Sequence, residues 1–140
     1  MIRRLALLLA LLSLPALAWA VMSVTITERR IATVKKVTLV WVSDAAGAAS
    51  GVTTGVYDGK IIGMTTIPAA AGSAPTTLYD ITVTDDGGHD ALLGAGANRS
   101  ATVTEHVAEA SLGASAGSLL TLNVAAAGDT KGGTVILYIR

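Results

Sequence analysis

The sequence predicts an all-β protein: an antiparallel β-sandwich or jelly roll of about seven or eight strands, preceded by an N-terminal hydrophobic helix. Three observations lead there. From Val21 onward, apolar and polar residues alternate with period two, the repeat of a half-buried strand. Clusters of Gly, Ala and Asp interrupt that alternation at short intervals, as turns between strands do. The first twenty residues are different, being almost continuously apolar.

That opening segment, Met1 to Ala20, has three zones. Arg3 and Arg4 give a positive start, Leu5 to Leu17 is apolar apart from Ser13 and Pro15, and Ala18-Trp19-Ala20 closes it. Small residues at Ala18 and Ala20 complete the pattern of a secretory signal peptide. The apolar run falls short of the roughly 20 residues that cross a bilayer. Two fates follow from this composition. Cleavage after Ala20 leaves Val21 as the first residue of an exported, periplasmic protein. Retention leaves an anchor or an assembly arm, the one route by which this chain meets a membrane. Residues 21–140 are then a single domain, since their length suits one core.

The strands can be placed in order. Val24 to Thr27 opens the series. Val34 to Val42 puts Val37, Leu39 and Trp41 on one face and Lys36, Thr38 and Val40 on the other. Asp44 to Gly51 reads as a flexible loop of small residues. Val52 to Tyr57 and Lys60 to Ile67 flank Asp58-Gly59, whose ease of adopting positive φ predicts a type I′ hairpin. Pro68 to Pro75 is a second small-residue connection. Leu78 to Thr84 alternates cleanly, with Tyr79, Ile81 and Val83 against Leu78, Asp80, Thr82 and Thr84. Asp85-Asp86-Gly87-Gly88 ends it as a turn. Ala101 to Val107, Leu119 to Val124 and Thr134 to Ile139 supply the rest, with Gly128 to Gly133 as a hairpin link. Glu105 to Ala116 is the one stretch with any helical character, and its glycines weigh against it.

Composition removes several functions. The chain has no cysteine, so disulfides, thiolate metal sites and cysteine nucleophiles are excluded. Residues 21–140 carry eight bases against ten acids, a net charge of −2. No long basic run exists to neutralise a phosphate backbone, so direct nucleic-acid binding is not expected. Without phenylalanine, the core has to come from Val, Ile, Leu and a few Trp and Tyr.

Part of the chain has a recognisable look. The segments Val34-Lys35-Lys36, Trp41 to Gly47 and Tyr57-Asp58-Gly59 form its first part. Ala74 to Gly88 with Asp90, and Gly94 to Ser100, complete it. Together they resemble a family of small proteins encoded among the structural genes of tailed bacteriophages and prophages, whose members often carry a similar leader. The likeness covers about half of the chain, Val34 to Ser100, and lies in strand-and-turn pattern. It implies a virion component: a capsid decoration protein or a head or tail accessory, touching other virion subunits and forming homo-oligomers. It implies no catalytic residue and no cofactor. Cytoplasmic capsid assembly sits awkwardly with an export leader, so an exported β-sandwich binding or adhesion module is the competing expectation.

Candidate sites are few. Asp85, Asp86 and Asp90 surround Gly87-Gly88 and offer hard oxygens to Ca²⁺, although the order of an EF-hand loop is missing. Their alternative role is to hold the turn through nearby backbone amides. Asp80 beside Tyr79 is a candidate for partial burial with Arg99 as its ionic partner, a pair that would lock the Gly94–Ser100 loop. His89 and His106 are the only histidines, too few for a zinc site without carboxylates. Ser100, His106 and Asp90 can be written as a triad, but triads are defined by geometry and no G-x-S-x-G elbow is present. The protein is therefore not expected to be an enzyme. Trp41 is expected in the core, and Lys35-Lys36, one charge on each face, mark an edge strand.

Overall fold

The computed structural model describes residues 20–140. The expected N-terminal hydrophobic helix lies outside the described residues. Those residues form a mostly antiparallel β protein with almost no helix. Nine strands run in order: β1 Ser23–Ile31, β2 Val34–Val42, β3 Ala49–Val52, β4 Tyr57–Pro68, β5 Asp80–Thr84, β6 Glu105–Ala108, β7 Ala114–Ser118, β8 Thr121–Ala125 and β9 Gly132–Ile139.

Two sheets arise from them. The larger has the order β1-β2-β9-β4-β6, with β7 also pairing on β4. The smaller is β3-β8-β5. Alternation explains which faces meet. Val37, Leu39 and Trp41 of β2 and Val135, Leu137 and Ile139 of β9 point to one side, fully buried. Ile81, Val83, Leu122 and Val124 of the smaller sheet join the same apolar cluster. Leu92 and Leu112, from the connections, complete it. Trp41 packs on Tyr79, the residue before β5, with ring centroids 5.5 Å apart. The faces expected for Val34–Val42 and for Tyr79–Thr84 are those observed. Leu78 departs from the pattern: it is exposed in a turn at φ 65°, outside β5.

Several local expectations are corrected. Asp58-Gly59 makes no hairpin but lies inside β4, at an irregularity in its pairing with β7. Gly59 is needed there for close approach, since its φ is 115° and a Cβ would collide with the Arg140 backbone. Gly128 to Gly133 does not join two paired strands, because β8 belongs to the smaller sheet and β9 to the larger. The small-residue stretch Asp44–Gly51 contains part of β3, paired in register with β8 from Ala49↔Val124 to Val52↔Thr121. Glu105–Ala116 is strand, 3-10 turn and strand, with no α-helix. Ala101–Val107 shortens to β6. The edge of the larger sheet is β1, so Lys35 and Lys36 stand on the second strand, not on an edge.

Candidate functional site

The larger sheet buries one face and leaves the other open. Its register places that outer face residue by residue. One row reads Thr25, Val40, Thr134, Ile67 across β1, β2, β9 and β4. The next reads Thr27, Thr38, Ile136, Thr65, His106 and so reaches β6. A third reads Arg29, Lys36, Tyr138, Gly63, Ala108. Val40 and Ile67 are 46% and 37% exposed, although both sit on strands interior to the sheet. Beside them Gly132, opposite Val42, omits a side chain at a depression of about 310 Å³ walled by Val40, Val42, Ile67, Lys131 and Thr134.

The chemistry of this face is narrow. Its three rows hold mostly β-branched side chains and hydroxyls and no carboxylate, with cations at the Arg29–Lys36 corner and Lys131 at the depression. An antiparallel sheet with a solvated face normally carries charged and long polar residues there. Hydroxyls that bond within the sheet satisfy themselves without water: Thr65 Oγ1 lies 2.9 Å from His106 Nδ1. Such a surface is suited to contact with another protein surface.

The other sequence candidates are placed elsewhere, and their polar atoms are engaged in turns. Asp90 Oδ1 accepts the Val83 and Leu92 N–H groups at 3.2 and 3.0 Å, and its Oδ2 accepts that of Gly94 at 2.8 Å. Asp85 Oδ1 accepts the His89 N–H at 2.9 Å, and this bond holds its carboxyl below the usual carboxylate range. Asp86 Oδ2 accepts the Leu119 N–H at 3.3 Å. Among the described residues no three His or carboxylate side chains gather as a metal-binding group. The carboxylates of the Ca²⁺ candidate Asp85, Asp86 and Asp90 thus act as separate backbone anchors: Asp85 within its own turn, Asp90 to its turn and to β5, and Asp86 to the start of the β7–β8 connection.

Asp80 and Arg99 do not pair. Asp80 Oδ1 accepts the Asn98 N–H at 2.8 Å, while Arg99 lies 3.6 Å from Glu105 Oε1 and donates to the Ala97 carbonyl. The Gly94–Ser100 loop is locked to β5 by main chain instead: Arg99 N–H donates to Tyr79 O at 2.7 Å, and Ile81 N–H to Gly96 O at 2.9 Å. Ser100, His106 and Asp90 are likewise engaged with different partners, Ser100 Oγ accepting the Thr102 and Val103 N–H groups.

The buried tyrosines set a pH limit on the fold. Burial pushes Tyr79 up to about 12, with the Glu105 carboxylate adding to the rise and Arg99 opposing it. Tyr57 is raised as well, by burial first and then by Glu28. Unfolded tyrosines ionise near 10. The unfolded chain thus loses protons first, and the stability that neutral Tyr79 contributes is whole below pH 10 and falls away as pH rises through about 12. In a Tyr138→Leu background, phenolate absorbance from Tyr57 and Tyr79 is expected to appear together with loss of β circular dichroism in that window. Ionisation of Tyr57 and Tyr79 near pH 10 with the fold intact would contradict their buried placement.

Sequence reasoning assigned Lys36, Thr38 and Val40 to one face but missed Ile67, Ile136 and Tyr138 as their neighbours. That grouping depends on which strands pair, and β9 enters between β2 and β4 from the far end of the chain. No family model, curated protein or solved structure matches this chain.

Proposed function

We propose that this chain is an accessory structural protein of a tailed-phage particle, a two-layer β-sandwich acting by contact with neighbouring virion subunits. The observation that carries the contact role is the open, carboxylate-free outer face centred on Val40, Ile67 and Ile136. The assignment to a virion is supported by the strand-and-turn resemblance of Val34 to Ser100.

Magnitude refines the reading. Five strands about 4.8 Å apart and three rows about 6.8 Å apart make a face on the order of 400 Å². A stable interface takes about 800 Å² from each partner. The face alone therefore gives weak association, and firm attachment requires a second contact. A small clip seated on an assembled lattice meets that condition, because it binds where two subunits already stand together. Anything that binds only the assembled state stabilises it by mass action.

The test is incorporation. Purified particles from a host carrying the gene are expected to contain the chain in many copies, and Val40→Lys with Ile136→Lys to fold normally yet be missing from them. The competing reading, an exported binding module, is favoured by the three zones of Met1 to Ala20. A protein found only in the periplasm with Val21 at its N-terminus, and never in particles, would decide for that module.

A further inference from the structure

The closed end of the β1–β2 hairpin carries charges arranged against stability. Arg29 stands directly opposite Lys36, and Arg30 directly opposite Lys35. Opposed residues of an antiparallel ladder share a face with their Cβ atoms about 5 Å apart, so like charges there repel. More cations gather nearby: Lys60 and Arg140 are tied by two backbone hydrogen bonds, and Ile139 lies beside Lys35. Six of the eight bases in residues 20–140 thus lie at one end of the larger sheet. Neutralisation is partial. Lys35 Nζ lies 3.0 Å from Asp58 Oδ1, whereas Arg29, Arg30 and Lys36 have no ion pair among the described residues.

Two further features adjoin these cations. A depression of about 330 Å³ is lined by Glu28, Arg29, Arg30, Lys35, Val56 and Tyr57. Tyr57 is 4% exposed, with the Glu28 carboxylate beside its phenol. The second feature is β1 itself, nine residues long, largely exposed, and paired on one side only among the described residues. Its outer side pairs with no strand among the described residues, although Val24 packs against Gly51 of β3 and Glu28 accepts the Gly55 N–H; an unpaired strand side is a template for an added strand.

We propose that the β1 edge takes an extended acidic segment of a partner protein as an additional strand, with carboxylates seated at Arg29, Arg30 and Lys36. Arginine forks fit carboxylates with two parallel hydrogen bonds. A protein segment fits better than a polyphosphate for a local reason. Glu28 and Asp58 stand among the cations, so the site is not the unopposed basic run that a phosphate backbone requires. Only a peptide, moreover, uses the main-chain ladder. The site shares Arg29 and Lys36 with the corner of the outer face but not Val40 or Ile136, so incorporation is tested by the Val40 and Ile136 variant and strand addition by the peptide, each failing without the other.

The experiment uses the full chain and a nine-residue peptide of alternating Val and Thr that begins with Glu-Glu. Antiparallel addition brings that acidic end beside Arg29 and Arg30. Binding is expected to be at least about tenfold tighter than for the same peptide beginning with Lys-Lys, to weaken with salt, and to shift the amide resonances of residues 23–31. Arg29→Gln with Arg30→Gln is expected to weaken it about tenfold. The same double variant should melt at a higher temperature than the parent at low salt, because the opposed pairs no longer repel. Equal binding of the two peptides, unshifted β1 amides, or displacement of the peptide by inorganic tripolyphosphate at lower concentration would each overturn the proposal. A lower melting temperature for the double variant would assign the arginines a structural role and overturn it too.

Discussion

Replacing Trp41 with alanine is expected to lower the unfolding free energy by about 3–5 kcal/mol, the range for emptying a large aromatic site in a core. Trp41 is 1% exposed and is the large side chain of β2 that packs on Tyr79, just ahead of β5. The chain has shaped itself around this residue. Gly133 directly opposite has no side chain, and a Cβ there would stand 2.9 Å from Trp41 Cζ2. Few substitutes exist, since the sequence has no phenylalanine to share the load. One effect works the other way. Trp41 Nε1 is buried without a hydrogen-bond partner in the structure, and removing an unsatisfied donor returns part of its desolvation cost. The loss should therefore fall toward the lower end of the range. A domain of this size holds about 5–15 kcal/mol in total, so the midpoint should drop by roughly 10–20 °C. Urea or thermal unfolding followed by circular dichroism measures it. A loss below about 1 kcal/mol would mean that Trp41 is not packed in the core against Tyr79.

The strands that could be read from the sequence are those whose own side chains decide their burial. β2 and β5 alternate strictly, and Trp41, Tyr79, Ile81 and Val83 lie on the expected inner sides. β3 was hidden because Ala49, Ser50 and Gly51 carry no strand preference; the strand exists because β8 offers a partner and Val24 packs against Gly51. Asp58-Gly59 has the strongest local turn chemistry in the chain, yet it serves a bulge, since β4 gains more by running on beside β9. The Asp80–Arg99 expectation failed for a related reason: main-chain bonds fix that loop, and Asp80 answers the Asn98 amide instead. The candidate contact surfaces were legible only in part. Lys36, Thr38 and Val40 were assigned to one face, but the opposition of Arg29 to Lys36 requires the register of a hairpin whose turn, Ala32-Thr33, lacks the usual Gly or Asn.

The second large effect is expected at Gly96, where no positive φ is involved and the constraint is space alone. A Cβ at this position would run into the Ile81 carbonyl oxygen and approach Leu92 Cδ1 to 3.0 Å. The obstacle is backbone, which cannot swing aside as a side-chain end would. Gly96 belongs to the loop that covers the outer edge of β5 through the Ile81–Gly96, Ala91–Val83 and Arg99–Tyr79 hydrogen bonds. Gly96→Ala must push that loop outward, stretching these bonds and loosening Leu92 in the core. The expected cost is about 3 kcal/mol, the upper part of the range for overpacking, because backbone hydrogen bonds are lost along with packing. Amide exchange should quicken first at Ile81 and Ala91, ahead of β2 and β9. Gly72→Ala is the matching control: nothing lies within 4 Å of a Cβ there, so its effect should stay within about 0.5 kcal/mol. Equal stability of the two variants would mean that the loop does not press on β5, and the edge of the smaller sheet would then be open.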